Sequence, residues 1–151
     1  MTEPSANQPE RAAWMGLLAS APPDLLEKGL GRLGPEPDFE WLRAPEIGAV
    51  MTRGRAGGTG APFNLGEITV TRCALRLRDG TTGHAYVAGR DKEKARRAAI
   101  CDALMQGERA AEMREAVLEP VAKALSERRA HLAGKAAATK VDFFTLVRGE
   151  D

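Results

Sequence analysis

The stretch from Ala56 to Asp91, AGGTGAPFNLGEITVTRCALRLRDGTTGHAYVAGRD, constrains the fold more than any other part of the chain. A glycine-rich loop, Gly57-Gly58-Thr59-Gly60, leads into a β-patterned run from Ile68 to Leu77. The chain then turns at Asp79-Gly80-Thr81-Thr82-Gly83. A second strand-like run, His84 to Ala88, ends at Gly89-Arg90-Asp91, where a helix begins. Two such runs with a short Gly-containing connection predict an antiparallel hairpin. A lone hairpin is marginal in water, so helices or further strands must cover one of its faces.

The flanking segments supply that cover. Met1–Pro9 is polar and carries two prolines, which predicts a disordered N-terminal tail, leaving residues 10–151 as a single domain. Glu10–Ser20 has helical spacing. Pro22-Pro23 starts a second helix with Leu26, Leu30 and Leu33 on one stripe, and Gly34-Pro35 ends it. Asp38–Arg43 and Ile47–Arg53 read as two short strands interrupted by Ala44-Pro45-Glu46. With the hairpin they predict an α+β fold: a small, mainly antiparallel sheet of about four strands, with N-terminal and C-terminal helices packed around it.

Within the hairpin the apolar parity changes. Ile68 and Val70 lie on one parity, Cys73, Leu75 and Leu77 on the other, which requires a bulge or coverage on both faces. The switch is expected at Thr71-Arg72. Arg72, Arg76 and Arg78 then form a basic row, read as a solvated face in preference to a surface meeting an acidic partner or phosphate. Asp91 is a suitable N-cap for a helix from Lys92 to Gln106 that is apolar nearly all round. One side of it is assigned to the sheet, the other to a helix or another chain.

Glu108–Leu118 is helical, and Pro120 either kinks it or opens a further helix to about Leu132. Gly134–Lys140 reads as a linker. The run Val141–Arg148 holds Phe143 and Phe144 and is apolar on both parities, as expected of a strand within the sheet or a segment docked on a partner.

Chemistry-bearing patterns are sparse. Gly57-Gly58-Thr59-Gly60 is followed by neither Gly-Lys-Ser/Thr nor a helix, so a loop needing positive φ is favoured over a phosphate cradle. Arg90 and Lys92 could serve an anion at the helix start, but capping by Asp91 is the commoner use of such a sequence. His84 and His131 lack companions at metal-ligand spacing, and no nucleophile elbow is present. Cys73 and His84 differ in parity, which opposes a thiol–imidazole pair. No catalytic or metal residues are assigned. Cys73 and Cys101 read as buried free thiols of a reducing compartment. With 22 basic against 21 acidic residues there is no general attraction to nucleic acid, and no segment reads as a membrane span or secretory signal. A cytoplasmic location is expected.

GGTGAPFNLGE (Gly57–Glu67), TVTRCALRL (Thr69–Leu77), GHAYVAGRD (Gly83–Asp91), DALMQ (Asp102–Gln106) and VDFFTLVRGE (Val141–Glu150) follow one another in an order that closely resembles the PhnG family, the G subunit of the carbon–phosphorus lyase core complex. Trp14-Met15 and the strand region Asp38–Arg55 extend the likeness to nearly the whole chain. The resemblance implies phosphonate catabolism in a complex with H, I and J subunits. In that complex, with a further L subunit, the ribose triphosphate of MgATP is transferred to an alkylphosphonate and adenine is released. It implies an accessory subunit with no catalytic residues to carry over and no cofactor of its own, MgATP being a substrate of the complex. Such a subunit is expected to contact the I subunit, stabilise it and steer attack at the anomeric carbon towards phosphonate. Under this reading Arg72, Arg76, Arg78, Phe143, Phe144 and the apolar helix from Lys92 are partner contacts. A rival reading has the chain bind nucleotide or triphosphate itself through Gly57–Gly60 and Arg90–Lys92.

Overall fold

A computed structural model describes residues 8–141. Within them the chain runs through α1 (Gln8–Ser20), α2 (Pro23–Arg32), β1 (Phe39–Arg55), β2 (Pro62–Leu77), β3 (Thr82–Ala88), α3 (Lys92–Met105), α4 (Ala110–Met113) and α5 (Glu119–Ala138). The strands form one antiparallel sheet in the order β1-β2-β3. In β2, Thr71, Cys73 and Leu75 are buried whereas Arg72 and Arg76 are exposed, and β3 buries Ala85 and Val87 but not His84 or Tyr86. Period-2 burial of this kind places the helices on one sheet face and leaves the other open. The architecture is α+β, as the sequence predicts.

The sheet has three strands because the two short runs before the glycine loop are one strand. β1 passes through Ala44-Pro45 without ending. Its register against β2 shifts between Trp41 and Arg43 and again between Arg43 and Glu46. A proline lacks the N–H a ladder needs, and the bulge of an edge strand tolerates it.

The parity switch in β2 needs no bulge at Thr71-Arg72. Pairing runs without a shift from Glu67 to Arg72 against β1 and from Val70 to Arg76 against β3. Val70 and Thr71 are both buried at the point of change. The two parities are the two faces of the sheet, each apolar over a different part of its length.

α3 is the centre of the core. The Asp91 side chain accepts the Lys94 N–H at 2.9 Å and so caps it. Ala95 and every residue from Ala98 to Met105 are buried. The sheet lies on one side. Trp14 and Leu18 of α1, and Leu26 and Leu30 of α2, belong to the same cluster. The apolar circumference of α3 is therefore consumed within the chain, which corrects its assignment as a partner contact. Close approach to β3 depends on Gly83, where a Cβ would sit 2.0 Å from the Ala99 carbonyl oxygen and 2.9 Å from the Ala103 Cβ.

Past α4 the chain widens into a π-turn, Arg114–Leu118, before α5. Pro120 has no N–H to give Ala116, and a proline ring crowds the carbonyl four residues earlier, so the turn opens just ahead of it. The run Gly134–Lys140 is not a linker: α5 continues to Ala138, as its alanines favour. Every residue from Ser126 to Val141 is exposed, so the outer turns of α5 stand clear of the rest of the described chain.

Candidate functional site

β3 ends where β2 has eight residues still to run towards its start. Val70 pairs with Ala88, and the Gly89 N–H reaches the Thr69 carbonyl at 2.8 Å. Residues 49–55 of β1 and 62–69 of β2 go on alone as a two-stranded arm. A register shift between Thr52 and Arg53 puts the extra residue in β2 at Leu65. Pairing then places Val50, Ile68, Leu65 and Phe63 on one face of the arm, with Leu65 lying over Gly54. Met51, Arg53, Arg55 and Glu67 lie on the other. Phe63 is 45% exposed, Leu65 63%, Ile68 44% and Met51 53%. Large apolar side chains gathered at this exposure mark an interaction surface, whereas scattered ones would not.

The apolar stripe of the arm lies on the face that, in the body of the sheet, carries ion pairs. Arg72 Nε donates to Glu46 Oε1 at 2.6 Å, Arg76 Nε to Glu40 Oε1 at 2.6 Å, and Arg78 Nη2 lies 2.7 Å from Asp38 Oδ2. Hydrogen bonds from Arg43 and Arg72 hold the Glu46 carboxyl below its usual range. The expected basic row is present, and each of its arginines faces a carboxylate of β1 or of the residue just before it.

The glycine loop forms the tip of the arm. Gly57 and Gly58 have φ of 61° and 80°, the left-handed region the sequence calls for there. The N–H groups of Thr59 and Gly60 both donate to the Ala56 carbonyl, so the turn spends half of its glycine-loop donors on itself. Arg90 and Lys92 are exposed at the other end of the arm, beside Gly89. Seven residues of strand separate the two groups, a distance of roughly 20 Å. They do not form one pocket.

The remaining candidates also separate. Cys73 pairs with Ala85 and faces the core, while His84 is exposed on the opposite face. Burial pushes the Cys73 thiol up to about 11 and the Cys101 thiol up to about 12, and both are free. Thiols held protonated in this way are poor nucleophiles. His131 is exposed on α5. Phe143 and Phe144 lie outside the described residues. Among the described residues no three His, Cys, Asp or Glu side chains come together as metal ligands, and no helix is long and apolar enough to cross a membrane.

One buried polar cluster escaped the reading of the sequence. Asp102 of α3 is fully buried, with both oxygens engaged. Arg11 donates from Nε to Oδ1 at 3.2 Å and from Nη2 to Oδ2 at 2.7 Å, Trp14 Nε1 donates to Oδ1 at 2.8 Å, and the His84 N–H donates to Oδ2 at 2.9 Å. Gln106, one turn on, gives its amide to the Thr82 carbonyl at 2.8 Å. The available signal was a carboxylate set within the apolar run from Ala98 to Met105. Its partners are all supplied, so this is a joint between α1, α3 and β3 and not an acid awaiting a substrate.

Comparison with known proteins accords with the order of motifs. The family model for phosphonate metabolism protein PhnG matches residues 9–149. The alpha-D-ribose 1-methylphosphonate 5-triphosphate synthase subunit PhnG of Rhizobium meliloti (strain 1021) is 45% identical over 150 residues, covering 99% of this chain and 96% of the relative. The chain belongs to the PhnG family of phosphonate metabolism proteins.

Proposed function

We propose that this chain is an accessory, non-catalytic subunit of the carbon–phosphorus lyase core complex. There it supports transfer of the ribose triphosphate of MgATP to an alkylphosphonate with release of adenine. The observation that carries this reading is the arm. It offers a contiguous apolar face on a strand pair too thin to be stable by virtue of its own packing, while the buried polar groups of the body are satisfied internally. A surface of this kind is suited to burial by another protein. The relative's description as a subunit of a synthase supports the same role.

The partners are the H, I and J subunits, with the I subunit in direct contact. Val50, Ile68, Leu65 and Phe63 form the apolar centre of the contact, and the paired arginines Arg72, Arg76 and Arg78 its polar rim. Phe143 and Phe144 are assigned to the same role. The chain brings no cofactor, and MgATP is handled by the assembled complex in the cytoplasm.

Co-expression with the H, I and J subunits tests the reading. The wild-type chain is expected to co-elute with them. Ile68→Asp combined with Phe63→Asp should weaken co-elution by about tenfold or more, because charge would replace the buried centre of the contact. Undiminished assembly of that variant, or turnover of a phosphonate by the isolated chain, would overturn the proposal.

A further inference from the structure

The sheet has an open edge along the arm. In β2 the Thr69 carbonyl takes the last hydrogen bond on the β3 side. Backbone groups of alternate residues in a strand point to the same side, so the N–H and C=O of Glu67 also point away from β1. Among the described residues nothing pairs with them. Natural sheets shield long open edges or use them to take up a strand. This edge carries Phe63, Leu65 and Ile68 and is guarded by neither proline nor lysine after Pro62.

The two faces of the arm specify different side chains for an added strand. One face offers the stripe of Val50, Ile68, Leu65 and Phe63. The opposite face carries Arg53 and Arg55 against the single acid Glu67, and neither arginine has a carboxylate partner among the described residues. In the body of the sheet Arg72, Arg76 and Arg78 of the outer face each have such a partner.

We infer that the β2 edge from Phe63 to Thr69 receives an extended segment of a partner subunit as a fourth strand. Its alternate side chains are apolar on the Ile68 face and acidic on the Arg53–Arg55 face. This rests on the accessory-subunit reading, and adds to it how the contact is made and what chemistry the partner presents. Backbone pairing supplies affinity, and the two faces set orientation and register.

Amide hydrogen exchange on the co-purified complex with the H, I and J subunits, against the isolated chain, is the test. Protection of Glu67 and its edge neighbours is expected to rise at least tenfold in the complex. Glu67→Pro removes a donor from the open edge while sparing the ladder to β1, and should abolish co-elution, whereas Glu67→Ala should not. Arg53→Glu with Arg55→Glu should weaken co-elution by about tenfold. A complex that forms with unprotected arm amides, or that tolerates Glu67→Pro as well as Glu67→Ala, overturns strand addition but leaves the subunit reading standing. Failure of the wild-type chain to co-elute at all overturns both. Protection of the edge already present in the isolated chain, as monomer or dimer, would assign it to this chain's own segments or to a second copy and overturn the inference.

Discussion

The body of the sheet and its arm share β1 and β2, yet they carry their main apolar stripes on opposite faces. In the body, Thr71, Cys73, Leu75, Ala85 and Val87 turn towards α1 and α3, and the outer face is left to ion pairs. In the arm the helices are gone, and the outer face carries the stripe of Val50, Ile68, Leu65 and Phe63. The exchange takes place at Val70 and Thr71 without a break in pairing. A strand can thus serve an internal core and an external surface in succession, and the crossing point appears in sequence as a change of parity.

If the body is a closed core and the arm an open surface, substitutions should cost stability in the first and leave it nearly unchanged in the second. The largest loss is expected for Asp102→Ala, which strands the indole N–H of Trp14 and the backbone N–H of His84 in the interior. Removing one partner of a buried charged cluster costs about 3 kcal/mol, read as a lowered urea midpoint. An unchanged midpoint would deny the body its joint.

A matched pair of glycines sharpens the contrast. Gly83→Ala forces a Cβ into the Ala99 carbonyl and should cost about 2 kcal/mol by overpacking. Gly48→Ala, at the base of the arm with nothing within 4 Å of the new methyl group, should stay within about 0.5 kcal/mol of wild type. Equal losses at the two sites would erase the distinction.

The smallest effect belongs to the exposed pair on the outer face. Arg72→Gln should leave the neutral-pH midpoint almost unmoved, since such pairs are solvated and screened. The folded Glu46 carboxyl is lowered, so whatever the pair contributes is present above the ordinary carboxylate range. It is lost as pH falls through the folded value. Wild type and variant should therefore converge in acid. A difference that grows on acidification would mean the pair is wrongly placed.

The sequence made the body legible because period-2 burial, the Asp91 cap and the Pro22-Pro23 start are local signals. Joining of the two early strands was hidden, because a proline within an edge-strand bulge looks the same as one between strands. The extent of α5 was hidden by Gly134, whose cost is spread over a long run of alanines. Of the surface, Ile68 and Val70 announced a second apolar face, but where the third strand ends is a matter of pairing and cannot be read from either strand alone. The Asp102 cluster joins residues some ninety positions apart, a separation no local pattern encodes.

Arg11 and Trp14 of α1 and the backbone of β3 all bind the same carboxylate, so release of any one leaves the fully buried Asp102 short of a partner. The N-terminal helix is thereby denied the fraying usual for an end segment and should open only together with α3 and β3, as one cooperative block. The outer turns of α5, tied to no such knot, should breathe independently of it.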